Sequence, residues 1–235
     1  MNENPFSPEP ELPTDDTTPR ETSARTEPAW ERRDELGTTT ALLQTFSGIL
    51  FRPSATFQRM RTEPRLGAPI LFVVIPSFLS FLLSSAIQQI QAPILSTLLG
   101  IEPSTGISPS YFVIWLPAIV FALFFKGLLY HLMLMLVGGN QAGFPATFRV
   151  VAYVAGSMAL FTWIPCLGAF LSLFWGTYLE IVGLKQIHGT SGGRALLAVL
   201  VPMVFLVIAC GAVLMAVFLP GVLGGFSGPP SAIEI

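Results

Sequence analysis

Five long apolar stretches, separated by short polar or glycine-rich joints, occupy the chain from residue 66 to residue 219. They cover about 68–87, 111–137, 147–164, 167–184 and 195–219. A helix that crosses a bilayer needs about 20 predominantly apolar residues, with a range of about 17–25. Each stretch therefore predicts one spanning helix. The second, at 27 residues, must tilt or protrude. The third and fourth, 18 residues each, are joined only by Ile164-Pro165-Cys166-Leu167-Gly168 and read as a hairpin of two short, upright helices. Pro76, Pro117 and Pro202 lie inside stretches, where membrane helices accommodate them as kinks.

The pattern before the first stretch is different. In residues 38–51, Leu42, Leu43, Phe46, Ile49 and Leu50 recur with helical spacing and mark one apolar face. The threonines ahead of them suit a helix start. Pro53 ends this helix, and Ser54 suits the cap of a second carrying Phe57 and Met60 beside Arg59 and Arg61. Both are too short to span. Residues 38–65 are therefore expected to form amphipathic interfacial helices, with Phe46, Phe57, Arg52, Arg59 and Arg61 as candidate lipid-surface or docking residues. The competing expectation is that the same apolar face packs under the bundle. Residues 1–37 are rich in Pro, Glu, Asp and Thr and poor in large apolar groups, which predicts a disordered tail. Residues 220–235, with Pro220-Gly221 and Gly228-Pro229-Pro230, predict a flexible end.

Composition sharpens this division. The 235 residues are 52% hydrophobic and 11% charged, against about 25% charged in ordinary soluble domains. The net charge of −2 averages unlike parts. The tail carries ten acids and four arginines, 38–65 carries four arginines and one acid, and the rest holds only Lys126, Arg149, Lys185, Arg194, Glu102, Glu180 and Glu234. Basic residues mark cytoplasmic loops. Arg52, Arg59, Arg61 and Arg65 precede the first stretch, Arg149 follows the second, and Lys185 and Arg194 follow the fourth. Loop 88–110, the 164–168 turn and the end after 220 contain no Lys or Arg. The alternation predicts five crossings with the N-terminus cytoplasmic and the C-terminus outside. The acidic, polar N-terminus lacks the basic-then-apolar opening of a signal peptide.

Three ionisable side chains lie inside apolar stretches, away from their edges: Lys126, His131 and Glu180. Such groups are costly in lipid unless paired or wetted, so they are candidate sites. At 1.5 Å per residue, Glu180 and His131 lie about 7–9 Å inside the cytoplasmic boundary, and Lys126 about 16 Å inside with a stem that reaches back. They are expected to form an intramembrane polar cluster joining the second and fourth spans, with Tyr130 and Tyr178 adding hydroxyls. Two roles fit: a hydrogen-bond knot that fixes helix packing, or a proton- or ion-linked site. Cys166 and Cys210, far apart in apolar surroundings, read as packing thiols.

No catalytic, cofactor or metal set is evident. Gly189-Thr190-Ser191-Gly192-Gly193 fits the G-x-S-x-G pattern of hydrolases. However, both histidines precede it and no Asp follows Asp34. Gly189 reads better as a helix C-cap and Ser191 as the next N-cap. Phosphate-binding loops, H-E-x-x-H and Cys/His spacings are absent, as are basic stretches interleaved with aromatics, so nucleic acid is not an expected partner. Ala152/Gly156 and Ala212/Ala216 stand four apart, a spacing that lets helices approach closely.

Several short motifs, in order, resemble the bacterial branch of the Ypt-interacting-protein (Yip) domain family. They are Leu50-Phe51-Arg52-Pro53-Ser54-x-x-Phe57, Leu66-Gly67-Ala68-Pro69, Gly138-Gly139 with Phe144, and Phe148-Arg149-Val150-Val151-Ala152-Tyr153. Ile164-Pro165-x-x-Gly168 and Gly183-Leu184-Lys185-x-x-His188-Gly189 complete the set, within about 45–205. The resemblance implies a five-helix integral membrane protein with a cytoplasmic N-terminus and offers no catalytic residues. Eukaryotic relatives act in Golgi and endoplasmic-reticulum vesicle traffic and bind Rab GTPases, partly through N-terminal regions. The short, apolar-poor tail does not carry that binding over. The sequence thus predicts an all-α integral membrane bundle of five transmembrane helices, in a bacterial inner membrane. Its expected role is non-enzymatic membrane organisation or partner binding, with the lipid bilayer, membrane-protein partners or further copies of itself as partners. The alternative is a small transporter or channel subunit with its polar site around Glu180.

Overall fold

The computed structural model describes residues 27–60, 62–99 and 109–226. Among them the chain is helical throughout, with no strand. A 3-10 turn Ala29–Arg32 runs into α1 (Arg33–Leu36), followed by α2 (Thr38–Phe51) and α3 (Pro53–Arg59). The bundle comprises α4 (Gly67–Leu99), α5 (Pro109–Leu136), α6 (Gly143–Ala159), α7 (Leu167–Leu171), a π turn Ser172–Gly176, α8 (Thr177–His188) and α9 (Gly192–Phe226).

Four helical runs are long and apolar enough to cross a membrane: Gly67–Leu98, Val113–Leu136, Leu167–His188 and Gly192–Val213. The third expected span is represented by α6, whose 17 residues extend about 25 Å at 1.5 Å per residue, short of the ~30 Å hydrocarbon thickness. It is the central helix. Thirteen of its residues are buried, with α4, α5, α8 and α2 packed around it. α6 and the α7–α8 rod run antiparallel. Thr147 meets His188 at one end, and Gly168 packs against the backbone of Phe161 and Thr162 at the other. α6 therefore carries the chain between the two ends of the 22-residue run Leu167–His188, completing the distance through the turns after Leu160.

Besides Gly168, close approach depends on Gly156 and Gly183. A Cβ at Gly156 would lie 2.7 Å from the Phe72 carbonyl oxygen of α4, and one at Gly183 would lie 2.5 Å from Val150 Cγ1 and 3.2 Å from the Phe57 ring. Of the two small-residue pairs, Ala152/Gly156 thus lies at a tight crossing, while Ala212 and Ala216 are exposed.

Several boundaries differ from expectation. The first span extends to Leu99, past the loop expected from 88. The added turns carry Ile90, Ile94, Leu98 and Leu99, with no glycine to stop the helix before Gly100. α9 runs to Phe226, beyond the expected end of the fifth span at Leu219. Described helical structure includes part of the segment assigned to the tail. Trp30 is 1% exposed; its indole N–H donates to the Ala68 carbonyl at 2.8 Å, and its backbone N–H donates to Thr45 Oγ1 at 2.9 Å. Tail residues 1–26 and end residues 227–235 lie outside the described residues. Gly37 at φ 81° starts α2 in place of a threonine. Arg52 caps α3 in place of Ser54, with Pro53 in the first turn, where its missing N–H costs nothing.

Candidate functional site

The facing surfaces of α5 and α8 bring Glu180 against Lys126 and Tyr130. Lys126 and Tyr130 are four residues apart and share a helix face. Lys126 Nζ donates to Glu180 Oε1 at 2.5 Å, and the Tyr130 hydroxyl donates to Oε2 at 2.7 Å. The carboxylate side chain is 4% exposed, the lysine side chain 38%. Lys126 also lies 5.4 Å from the centre of the Tyr130 ring, within cation–π range. Both carboxylate oxygens thus have a donor, as a charge in apolar surroundings requires.

Two expected members stand apart from this cluster. Tyr178 is exposed and stacks on Trp175 at 5.0 Å between ring centres. It precedes Glu180 by two residues, which turns it about 200° around the helix. His131 is one residue past Tyr130, about 100° away, and joins a second group. Its Nδ1 lies 3.3 Å from Thr147 Oγ1, which lies 2.9 Å from His188 Nε2. His188 Nδ1 faces the backbone N–H groups of Gln141 at 3.4 Å and Ala142 at 3.2 Å, so it accepts. That places the proton on Nε2, which donates to Thr147, and leaves the threonine hydroxyl proton for His131. The result is a directed His–Thr–His chain tying α5, α6 and α8 together.

The expected docking residues divide by side. Phe46 and Phe57 are 5% and 0% exposed; Phe46 packs on Phe72 at 4.9 Å, and Phe57 packs on Gly183. The apolar face of α2 and α3 thus packs on the bundle, the competing expectation. Arg52 and Arg59 are exposed, as are Leu43 and Phe51. Arg61 lies outside the described residues.

Sequence reasoning missed the group around Arg149, which it placed at the membrane edge. Arg149 is fully buried. Its guanidinium ion-pairs with Glu31 and donates to the carbonyls of Glu63 at 3.1 Å and Arg65 at 3.0 Å. Tyr153 donates to the same Glu31 oxygen at 2.7 Å. These contacts latch the N-terminal arm onto α6. The available signal was Trp30, an indole in a tail poor in large apolar groups.

Gly189 caps α8 in the left-handed region at φ 60°, and Ser191 Oγ accepts from the Arg194 N–H at 3.4 Å at the start of α9. Cys166, expected to pack, is instead exposed in the turn before α7 at φ 62°; the side chain of Cys210 is not among those described. No group of three His, Cys, Asp or Glu suited to a metal occurs among the described residues. A cavity of about 500 Å³ lies between α4, α5, α6 and α8 and reaches Lys126 and Glu180.

The Yip1 domain family model matches residues 47–226. No curated protein and no solved structure matches the chain.

Proposed function

From the premise that this chain belongs to the Yip1 domain family, we propose that it is a non-enzymatic, multi-pass membrane protein that organises membrane or binds partners through its latched N-terminal arm. The observation that carries this reading is the arm itself. Trp30, Phe46 and Phe57 anchor it on the bundle, while Leu43, Phe51, Arg52 and Arg59 remain outward. A fixed arm with a mixed apolar and basic outer face suits a membrane-protein partner or a second copy at the lipid surface. The surrounding lipid bilayer is the constant partner.

The reading includes five crossings, with the N-terminus cytoplasmic, the C-terminus outside, and a bacterial inner membrane as location. The path of α6 supports it: α6 runs between the two ends of the α7–α8 rod, as a crossing by a short helix requires. The positions of Arg52, Arg59, Lys185 and Arg194 support the orientation.

One observation favours a second reading, a transporter or channel subunit: the cavity that reaches the Lys126–Glu180 pair. Two experiments separate the readings. Photo-crosslinkers at Leu43 and Phe51 should capture one partner in membranes, and capture abolished by Arg52→Glu supports docking. Ion and proton flux in proteoliposomes that disappears with Glu180→Gln would replace docking with transport.

A further inference from the structure

The cavity between α4, α5, α6 and α8 has a mostly apolar wall; the Thr162 hydroxyl on it is already bonded to the Ala159 carbonyl, and the other hydroxyl and charged groups stand at three places. Lys126 and Glu180 line it from α5 and α8. Ser77, Ser80 and Ser84 of α4 line it at i, i+3 and i+7, one helix face. Ser172, at the first position of the π turn, lines it from the α7–α8 rod, eight residues before Glu180.

Ser172 is the residue that asks for a ligand. Its hydroxyl oxygen is buried and has no hydrogen-bond partner. A partnerless polar atom is costly in any interior, and a π turn inside an α-helical run is a local feature frequent at functional sites. Lys126 supplies the complement. Its ammonium has three protons, and the described hydrogen bonds use one, toward Glu180. Glu180 has both oxygens engaged, by Lys126 and Tyr130. The site therefore offers N–H and O–H donors while its formal charge sums to zero.

That balance selects the ligand class. An anionic phosphate or carboxylate would bring an uncompensated charge into a low-dielectric wall. An uncharged head with hydroxyl and ester carbonyl groups satisfies the donors without that cost. The side of access selects the source. Ala122 lines the cavity on α5 and is exposed, next to the exposed Phe121 and Phe125 on α5; Leu82 and Leu83 are exposed on α4. This flank faces lipid tails. The volume holds roughly 17 groups at the ~30 Å³ that a water occupies in the liquid, about the size of a glycerol with the first carbons of its acyl chains.

We propose that this cavity binds one neutral glycerolipid of the diacylglycerol type. Its hydroxyl and ester carbonyls meet Lys126 and Ser172, and its chains leave between α4 and α5. The proposal needs only that the bundle is embedded in a bilayer. It is independent of the docking reading and gives the cavity a resident lipid in place of a transported solute.

The test uses the full chain in phosphatidylcholine nanodiscs doped with a diazirine-bearing diacylglycerol, with labelled peptides mapped after illumination. Labelling should fall on α4, α5 and the π turn. Unlabelled diacylglycerol should displace it, whereas phosphatidic acid with the same chains, or free glycerol, should not. Ala122→Trp at the exposed mouth should abolish labelling with an unchanged melting temperature. Ser172→Ala should weaken competition about tenfold, the worth of one hydrogen bond. Labelling elsewhere, labelling undiminished in Ala122→Trp, or displacement by phosphatidic acid or free glycerol would overturn the proposal. A failure here leaves crosslinking at Leu43 and Phe51 unaffected, so the two readings fail separately.

Discussion

Removing the Glu31 carboxylate should loosen the arm far more than removing its cationic partner. The pair is asymmetric: the Arg149 side chain is 1% exposed and that of Glu31 11%. Glu31→Ala leaves a buried guanidinium of α6 with two carbonyl acceptors and without its Glu31 counter-charge, and also deprives Tyr153 of its acceptor. Arg149→Met leaves a carboxylate that is the more exposed of the pair and still accepts from Tyr153. Breaking a buried pair by deleting one partner costs about 3–5 kcal/mol. The arm can escape this cost by opening, which lets water reach Arg149. The effect should therefore appear as local opening of residues 28–50 with little change in the rest of the bundle. At about 1.4 kcal/mol per decade, amide exchange of the arm should accelerate roughly a hundredfold to a thousandfold or more. Trp30 N–H, which donates to Thr45, is the most direct reporter. Arg149→Met should accelerate it much less, and Glu31→Leu with Arg149→Met should restore most of the protection, because an apolar replacement of a buried pair is often neutral. Hydrogen exchange with mass spectrometry on peptides covering 28–50 measures this. Equal exchange in Glu31→Ala and the unaltered chain would refute the latch.

Other substitutions probe other contacts. Gly156→Ala places a Cβ 2.7 Å from the Phe72 carbonyl oxygen; since backbone cannot swing away, it should cost about 1–3 kcal/mol, read as a lower melting temperature in detergent. Lys126→Met should destabilise more than Glu180→Gln, because it strands a carboxylate whose side chain is 4% exposed, while the 38%-exposed lysine can extend to the interface; thermal melts of both variants measure the order. Thr147→Val removes the hydroxyl between His131 and His188 and should cost about 1–3 kcal/mol for the partners left unsatisfied, whereas Thr147→Ser should keep most of the stability.

The helices were legible because lipid imposes a coarse rule, a long apolar run between polar joints, that holds without knowledge of partners. α6 shows where the rule thins. Its apolar run includes Arg149, and a helix enclosed by four neighbours need not match the bilayer in length. Depth along a helix was also legible, which is why Glu180 and Lys126 could be brought to one place. Azimuth decides the remainder. Lys126 and Tyr130 share a face by their spacing of four, while His131 and Tyr178 are rotated off it, so depth alone grouped too many residues. Arg149 and Glu31 lie 118 residues apart, and nothing local separates Glu31 from the nine other acids of the tail. The apolar face of α2 and α3 was readable as a face, but not what would cover it. The π turn and the unpartnered Ser172 left no mark in composition or periodicity.

The central claim is that α6, though short, carries the chain across the bilayer, so that the turn before α7 emerges opposite the basic loops. Cys166 tests this directly, since it is exposed in that turn. In a Cys210→Ser background, a membrane-impermeant maleimide applied to intact cells should label Cys166 from outside, and a cysteine at Gly192, the first residue of α9, only after permeabilisation. Labelling of Cys166 only after permeabilisation, with Gly192→Cys labelled in intact cells or not at all, would contradict the account.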